Sequence, residues 1–366
     1  MPTRIIAAVA RETHRPLTLE ELELDEPRAN EAVVQMVASG VCHSDLMVMD
    51  GQFPMPLPMV LGHEGAGRIL EAGADTGLAP GQPVALSFAA CGHCASCATG
   101  HPSYCAEFAA LNYSGRRADG SPTLRDAAGR PVGGRFLGQS SFATHALVDR
   151  RSIVPLPADA PLRMLGGFGC GFITGAGAVF NVIKPAAGSV IAILGAGAVG
   201  FASLFAAQIA GCGQIIVIDR VKARLALARE LGATEVIDTS EQDLAGALAE
   251  LPELHNIVDT TGVAPLVRAA LGRLAKRGAC VLVGVGPQSA LELDMRVLIP
   301  GRRLVGSVEG DCDPQQLVPR LVDLFMRDRF PVDRLMRHVP FEEIASATHH
   351  DIARQAIKPV LVFADA

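Results

Sequence analysis

The apolar run Val190–Leu194 leads directly into Gly195-Ala-Gly197-Ala-Val-Gly200, and a helix-like segment follows to Ala210. Such a glycine pattern on its own often arises by chance. Set between a strand and a helix, with an acidic residue closing the next strand, it constrains the local fold strongly. Gly195 permits the tight turn, Gly197 lets the backbone approach a pyrophosphate, and Gly200 lets the helix pack close to the strand. The first turn of that helix offers unbonded N–H groups to an anion. The next strand, Ile215–Ile218, ends in Asp219, 19 residues past Gly200. A carboxylate there can accept hydrogen bonds from ribose hydroxyls, and it repels a 2′-phosphate. The pattern predicts a dinucleotide site that takes NAD in preference to NADP, with Arg220 and Arg224 as a weaker pull toward the phosphate.

From about residue 170, strand-like and helix-like segments alternate. Ala223–Leu231 and Leu266–Leu274 read as helices; Glu235–Ile237, Asn256–Val258, Cys280–Val283 and Leu304–Val308 read as strands. This alternation predicts an α/β fold, a doubly wound parallel sheet covered on both faces. Residues 1–155 read instead as strands and turns. Ala32–Val37 is an apolar strand, Pro54-Met-Pro-Leu-Pro58 forbids helix, and the glycines of 62–67 and 73–81 punctuate further strands. Ser114–Gly138 reads as a polar, solvated surface loop. Residues 310–366 return to a mixed pattern ending in a strand over Lys358–Phe363.

The run CGHCASCATGHPSYC places Cys91, Cys94, Cys97 and Cys105 within fifteen residues. Two Cys-x-x-Cys steps and a fourth thiol can close a tetrahedral cage on zinc, with each sulfur about 2.3 Å from the metal and no position left open. Such a site is structural, so any chemistry lies elsewhere. The net charge of −6, with no Lys/Arg-rich block, argues against nucleic acid or an anionic membrane as partner. No apolar run reaches the roughly 18 residues needed to span a bilayer. The apolar stretch near the N-terminus is too short for a signal peptide. With nine cysteines, four of them clustered, the expectation is a cytoplasmic chain whose grouped thiols bind metal rather than pair.

Cys42 in GVCHSD, His63 in GHEG and Cys170 in LGGFGCG are further candidate metal ligands. Taken singly, each reads more readily as a buried thiol or a core histidine, and no local spacing joins them. Taken with the four-cysteine run and GAGAVG, in this order from Ile5 to Phe363, they resemble the zinc-dependent medium-chain alcohol dehydrogenases. The stretches FPMPLPMVLGHEG, SSFATHALV, GCGFITGAGAVFN and SVEGDCDP look closest to the aryl- and allyl-alcohol branch, typified by benzyl alcohol and geraniol dehydrogenases.

That resemblance implies a GroES-like, β-rich catalytic domain over 1–171 with a structural zinc lobe, a Rossmann NAD-binding domain over 172–309, and a return to the catalytic domain over 310–366. It implies two zinc ions per chain and NAD as cofactors. Cys42, His63 and Cys170 would hold the catalytic zinc with one position open, and Asp45 would orient His63. Glu64 would sit beside the metal, or else pair with a nearby cation. His43 and Lys358 match positions that contact cofactor phosphates. Thr174 and Val199 would press on the nicotinamide from one side, Val283 and Val285 from the other. Zinc would lower the pKa of the alcohol, and Ser44 would take its proton toward the nicotinamide ribose. The relay histidine that many relatives carry three residues after this serine is Met47 here. The proton then leaves from the ribose to water or through another group, such as His43. Phe53, Phe88 and Leu111 match segments that line the substrate cleft. An apolar pocket suits aromatic or allylic primary alcohols and their aldehydes. Thiol-adduct formaldehyde dehydrogenases and broad-range primary alcohol dehydrogenases share the scaffold. A zinc-stabilised binding protein is the non-enzyme alternative, disfavoured by the complete ligand set and Ser44. The resemblance also implies a homodimer or homotetramer.

Overall fold

The computed structural model describes residues 3–241, 244–286, 290–348 and 356–364. The chain forms two units. The first takes the residues up to Gly171, Asp313–Asp323 and those from Asp333 onward; the second takes Phe172–Cys312 and Leu324–Val332.

The second unit is built on six parallel strands in the spatial order Glu235–Asp238, Gln214–Asp219, Val190–Leu194, Leu254–Asp259, Leu274–Leu282, Arg303–Gly306. Val190–Leu194 is central and buried along its whole length, which is why it reads as an unbroken apolar run. The chain leaves it in one direction, then returns to its other side at Leu254–Asp259. The GAGAVG turn therefore sits at the reversal of strand order, where open α/β sheets form a crevice. Helices Ala198–Ile209, Lys222–Glu230, Leu244–Glu250 and Ala264–Gly272 connect the strands. One core cluster gathers Leu194, Ile216, Ile218, Ile257 and Leu271.

Three sequence expectations need correction in this unit. The helix expected to reach Leu274 ends at Gly272, and Leu274 instead opens a strand of nine residues. The helix Leu244–Glu250 was not anticipated. Residues 324–332 were expected to lie with the catalytic domain, yet they pack with the second unit. The cause is Phe330, fully buried with its ring 5.5 Å from Phe205 and 6.3 Å from Phe172. One aromatic anchor of this kind outweighs the polarity around it.

The first unit holds a seven-stranded and a five-stranded sheet, antiparallel in most pairings. Its hub is Glu31–Gly40, buried at all but one position and paired with Gly65–Ala72, His145–Asp149 and the C-terminal strand Lys358–Val362. The last pairing aligns Val360 with Gly40, so Lys358 arrives beside Val41.

Two further readings change here. The first half is not all strands and turns: His43–Met49 is helical and starts immediately after Cys42. Asp45 makes the start, since its Oδ2 accepts the Cys42 N–H at 2.9 Å. Seven residues are too few for a helical repeat to show in the sequence. Nor is Ser114–Gly138 a solvated loop. Arg117 and Arg135 are buried, at 4% and 7% exposure, and both grip Glu31, itself 2% exposed. The polar composition misleads because these charges neutralise one another inside the fold.

Candidate catalytic centre and cofactor loop

Cys42 lies at the end of the hub strand, His63 on the turn that follows Gly62, and Cys170 in the glycine-rich segment that closes the first unit. The structure brings these three together: one ligand atom from each lies within 4.8 Å of the others. His63 Nδ1 faces Asp45 Oδ1 at 3.1 Å. The same carboxylate accepts the N–H groups of Gly62 and Cys42, so one acid ties two of the candidate ligands. His63 Nε2 is buried with no hydrogen-bond partner among the described residues. An orphaned ring nitrogen beside two thiols is a two-sulfur, one-imidazole donor set, which zinc accepts with a fourth position open. The residues fit the metal.

The electrostatics agree. The Cys42 thiol is held well below the ordinary thiol range, first by its hydrogen bond with Cys170 and then by His63 and Lys358, against the effect of burial. Burial alone would push His63 down, but Asp45 and Cys42 outweigh it and raise it well above the usual histidine value. Both shifts favour the charged forms, and metal binding requires the thiols and the ring nitrogen without their protons.

Glu64 proves to be paired with a cation. It is fully buried, its Oε2 meets Lys358 Nζ, and its Oε1 accepts the Gly171 N–H at 2.9 Å. Lys358 also donates to the Val41 carbonyl at 3.3 Å. Burial would lower Lys358, yet Glu64 and Cys42 hold it charged. Lys358 is 2% exposed, so in this structure its ammonium serves the strand ends around Val41 and Glu64. His43 is exposed on the first turn of the short helix. Ser44 is half-buried with Oγ 3.9 Å from Cys42 Sγ. Met47, one turn along from His43, is half-buried.

Cys91, Cys94, Cys97 and Cys105 also converge within 4.8 Å, and none forms a disulfide. The backbone wraps them. Cys91 N donates to Cys105 Sγ at 3.2 Å, Cys94 N to Cys91 Sγ at 3.3 Å and Ala106 N to Cys94 Sγ at 3.4 Å. That last bond is the first cause of Cys94 falling to about 6. The N–H groups aimed at its sulfur favour the Cys94 thiolate, whereas burial pushes Cys97 up to about 12 and Cys105 up as well.

In the second unit the three loop glycines have three different reasons. Gly195 has φ of +99°, and a Cβ there would lie 2.4 Å from Thr260 Oγ1. A Cβ on Gly200 would lie 1.9 Å from the Gly195 carbonyl oxygen, so helix and turn touch through it. A Cβ on Gly197 would meet nothing within 4 Å. Packing does not require that glycine; space for a ligand explains it. Asp219 Oδ2 accepts the Ala196 N–H at 2.6 Å, and Oδ1 accepts those of Arg220 and Val221. The carboxylate is thereby fixed at the mouth of the loop, with Arg224 half-buried one turn into the next helix. Thr174 donates to Glu309 at 3.4 Å. Val199 is half-buried, and its carbonyl accepts from Ser203. Val283 is also half-buried, and its N–H bonds to the Asp259 carbonyl. Val285 is 68% exposed and borders a cavity of about 150 Å³ with Asp259 and Leu291.

Of the expected pocket residues, Phe53 and Leu111 are half-buried and Phe88 is buried at 3%. Phe53 meets Tyr113 edge-on at 4.9 Å, Tyr113 meets Phe108 at 5.9 Å, and Phe108 meets Phe88 at 5.6 Å. Tyr113 and Phe108 were not singled out from sequence. The helix Phe108–Tyr113 that presents them is too short to leave a pattern.

A parallel α/β unit with a glycine dinucleotide loop, joined to a β-rich unit with one three-ligand and one four-thiol metal set, defines a zinc- and nicotinamide-dependent dehydrogenase. Comparison with known proteins gives the family. The family model for the alcohol dehydrogenase GroES-like domain matches residues 28–158, and that for zinc-binding dehydrogenase matches residues 198–327. A geraniol dehydrogenase from Castellaniella defragrans is 41% identical over 98% of this chain and 97% of its own. The solved structure of an alcohol dehydrogenase zinc-binding domain protein from Burkholderia ambifaria is 43% identical, covers 99% of each chain and superposes with a TM-score of 0.96. Benzyl alcohol dehydrogenase from Acinetobacter calcoaceticus superposes with a TM-score of 0.94 at 37% identity, over 99% of this chain and 100% of that one. The chain belongs to the zinc-dependent medium-chain alcohol dehydrogenase family, and its cofactors are zinc and a nicotinamide dinucleotide. Among the described residues, no helix is long and apolar enough to cross a membrane.

Proposed function

We propose that this dehydrogenase oxidises primary aromatic or allylic alcohols to aldehydes, with NAD as hydride acceptor. The observation that carries the substrate class is full-length similarity to both a geraniol and a benzyl alcohol dehydrogenase. The half-buried Phe53–Tyr113 pair adds support, since ring faces and edges suit a planar conjugated substrate. Cys42, His63 and Cys170 would hold the catalytic zinc, and Cys91, Cys94, Cys97 and Cys105 the structural one. Bound there, zinc would supply Lewis acidity to the alcohol oxygen and the nicotinamide an acceptor for the hydride.

The remaining work falls to side chains. Ser44, beside Cys42, takes the alcohol proton through its hydroxyl. Asp45 fixes the tautomer of His63 by accepting from Nδ1. Glu64 and Lys358 keep the strand ends around Cys42 and Gly171 in place. Because Met47 cannot carry a proton, the proton would pass by the nicotinamide ribose to water or to His43, which is exposed on the same helix. Replacing His43 with Ala should cut the hydride-transfer rate and be rescued by added imidazole; an unchanged rate would remove His43 from the relay. Asp219 at the loop mouth supports NAD over NADP. Asp219→Gly should weaken NAD and improve NADP, and equal kinetics with both would remove that assignment.

The substrate test is a panel of benzyl alcohol, geraniol, ethanol and S-hydroxymethyl thiols, each with NAD and NADP. Benzyl alcohol or geraniol should give the highest kcat/KM. Preference for ethanol, or for the thiol adduct, would overturn the aryl and allyl assignment. Assembly as a homo-oligomer belongs to the same reading and is supported by an exposed sheet edge at Arg303–Gly306.

A further inference from the structure

The segment Leu137–Ser140 is unusual in its backbone. Leu137, Gly138 and Ser140 all have positive φ, at +46°, +76° and +53°. Two of these are side-chain-bearing residues in a region that disfavours them. Such strain persists only where surrounding bonds over-determine it. Here the Ser140 hydroxyl accepts the Phe136 N–H at 2.8 Å and donates to the Val60 carbonyl at 2.6 Å, latching the turn to the strand before the GHEG motif.

What the strained turn presents is specific. The Phe136 ring, fully buried, meets the His63 ring edge-on at 5.3 Å. The Gln139 amide, also fully buried, spans the same residue from the other direction. Its Nε2 donates to the His63 carbonyl at 2.8 Å, and its Oε1 accepts the Gly65 N–H at 3.0 Å. Asp45 holds the Gly62 N–H and the His63 ring. The His63-Glu64-Gly65 backbone is thus fastened at both ends by side chains from distant parts of the sequence, with a ring nitrogen of His63 within 4.8 Å of the two sulfurs.

We infer that Gln139, presented by the Leu137–Ser140 turn, is a positioning residue for the catalytic metal: it fixes the backbone that carries His63, as Asp45 fixes its ring. This rests on Cys42, His63 and Cys170 being the catalytic zinc ligands. A primary amide is the side chain this place demands. It must donate to a carbonyl and accept from an N–H at once, at a position with 0% exposure. Glu can accept but confronts the His63 carbonyl with a second acceptor. Met fills the same volume and does neither.

The test uses full-length zinc-loaded protein and chelator competition, which resolves the two zinc ions by their rates of release. Gln139→Met should lose zinc from the three-ligand centre about 10–100-fold more readily, the range usual for groups that orient metal ligands, while the four-cysteine ion is released as in the wild type. Gln139→Glu, which keeps the bond from Gly65, should fall between the two. It should also shift the visible spectrum of cobalt substituted at the three-ligand centre, a signature that general loss of stability does not produce. Wild-type release rates and an unshifted cobalt spectrum in both variants would overturn the inference. So would joint loss of both ions with a lowered Tm, which would make Gln139 a packing residue. A wild-type chain that holds a single zinc would sink the metal assignment itself, and the positioning role with it.

Discussion

Gly197 and Gly200 stand three residues apart in one motif, yet they should fail in different ways. Gly197 has φ of −88°, open to any residue, and free space where a side chain would go. Gly197→Val should therefore leave Tm nearly unchanged and weaken dinucleotide binding by roughly tenfold or more, about 1.4 kcal/mol or above. Gly200→Ala forces a methyl against the Gly195 carbonyl and should destabilise the fold by about 1–3 kcal/mol. Calorimetry and NAD titration on the two variants check the contrast; a Tm loss in Gly197→Val equal to that in Gly200→Ala would refute it. The thiols divide similarly. Cys97→Ser should lower Tm before it slows single-turnover hydride transfer, whereas Cys170→Ser should do the reverse. The glycine loop and the four-cysteine cage were legible in the sequence because each is local: six residues and fifteen residues carry all of it. Cys42, His63 and Cys170 are far apart, and only resemblance joined them. Gln139 left no signal at all, because its partners at His63 and Gly65 are more than seventy residues away.

Among the elements, the turn-rich stretch Ser114–Gly138 departs furthest from its sequence. Its arginines converge on Glu31 at the start of the hub strand, Arg117 with Nε at 2.9 Å and Arg135 with Nη1 at 3.0 Å. Burial alone would raise the Glu31 carboxyl, but Arg117, the Arg28 N–H and Arg135 outweigh it and hold it below its ordinary value of 4.5. A carboxylate with a depressed folded pKa contributes stability that is present above 4.5 and is lost as pH falls through the folded value. Glu31→Gln removes the counter-charge of Arg135 and leaves Arg117 only Asp25, at 2.6 Å, and should cost about 3–5 kcal/mol at pH 7. The gap between variant and wild type should narrow as pH drops below 4.5, because the wild type then loses the same charge. Urea unfolding at pH 7 and at pH 4 measures it; a gap that is constant with pH would show that the pair contributes through packing. A sequence cannot announce such a device: the partners are 86 and 104 positions apart, and each looks like surface polarity where it stands.

For the whole molecule, the alternation of strand and helix announced the second unit, and the glycine and proline punctuation announced the β-rich first unit. Phe330 could not be placed from its neighbours, since only its burial against Phe172 and Phe205 says where it belongs. The six-stranded sheet leaves one edge in need of explanation. Arg303–Gly306 is its last strand, and Val305 and Val308 are 37% and 43% exposed there. Met295 and Ile299, at 81% and 76%, stand exposed just before it in the chain. Unpaired edge groups beside large apolar side chains form a template for another strand, and natural folds blunt such edges unless they are used. Copies of this chain should therefore associate through this edge as a homodimer or a larger homo-oligomer. Light scattering after size exclusion should give at least twice the monomer mass of 38.2 kDa. Val305→Lys combined with Ile299→Asp puts charge into the seam and should shift the population to monomer, while both zinc ions stay bound. A wild-type monomer, or a charged variant that keeps its mass, would leave the edge without a role in assembly.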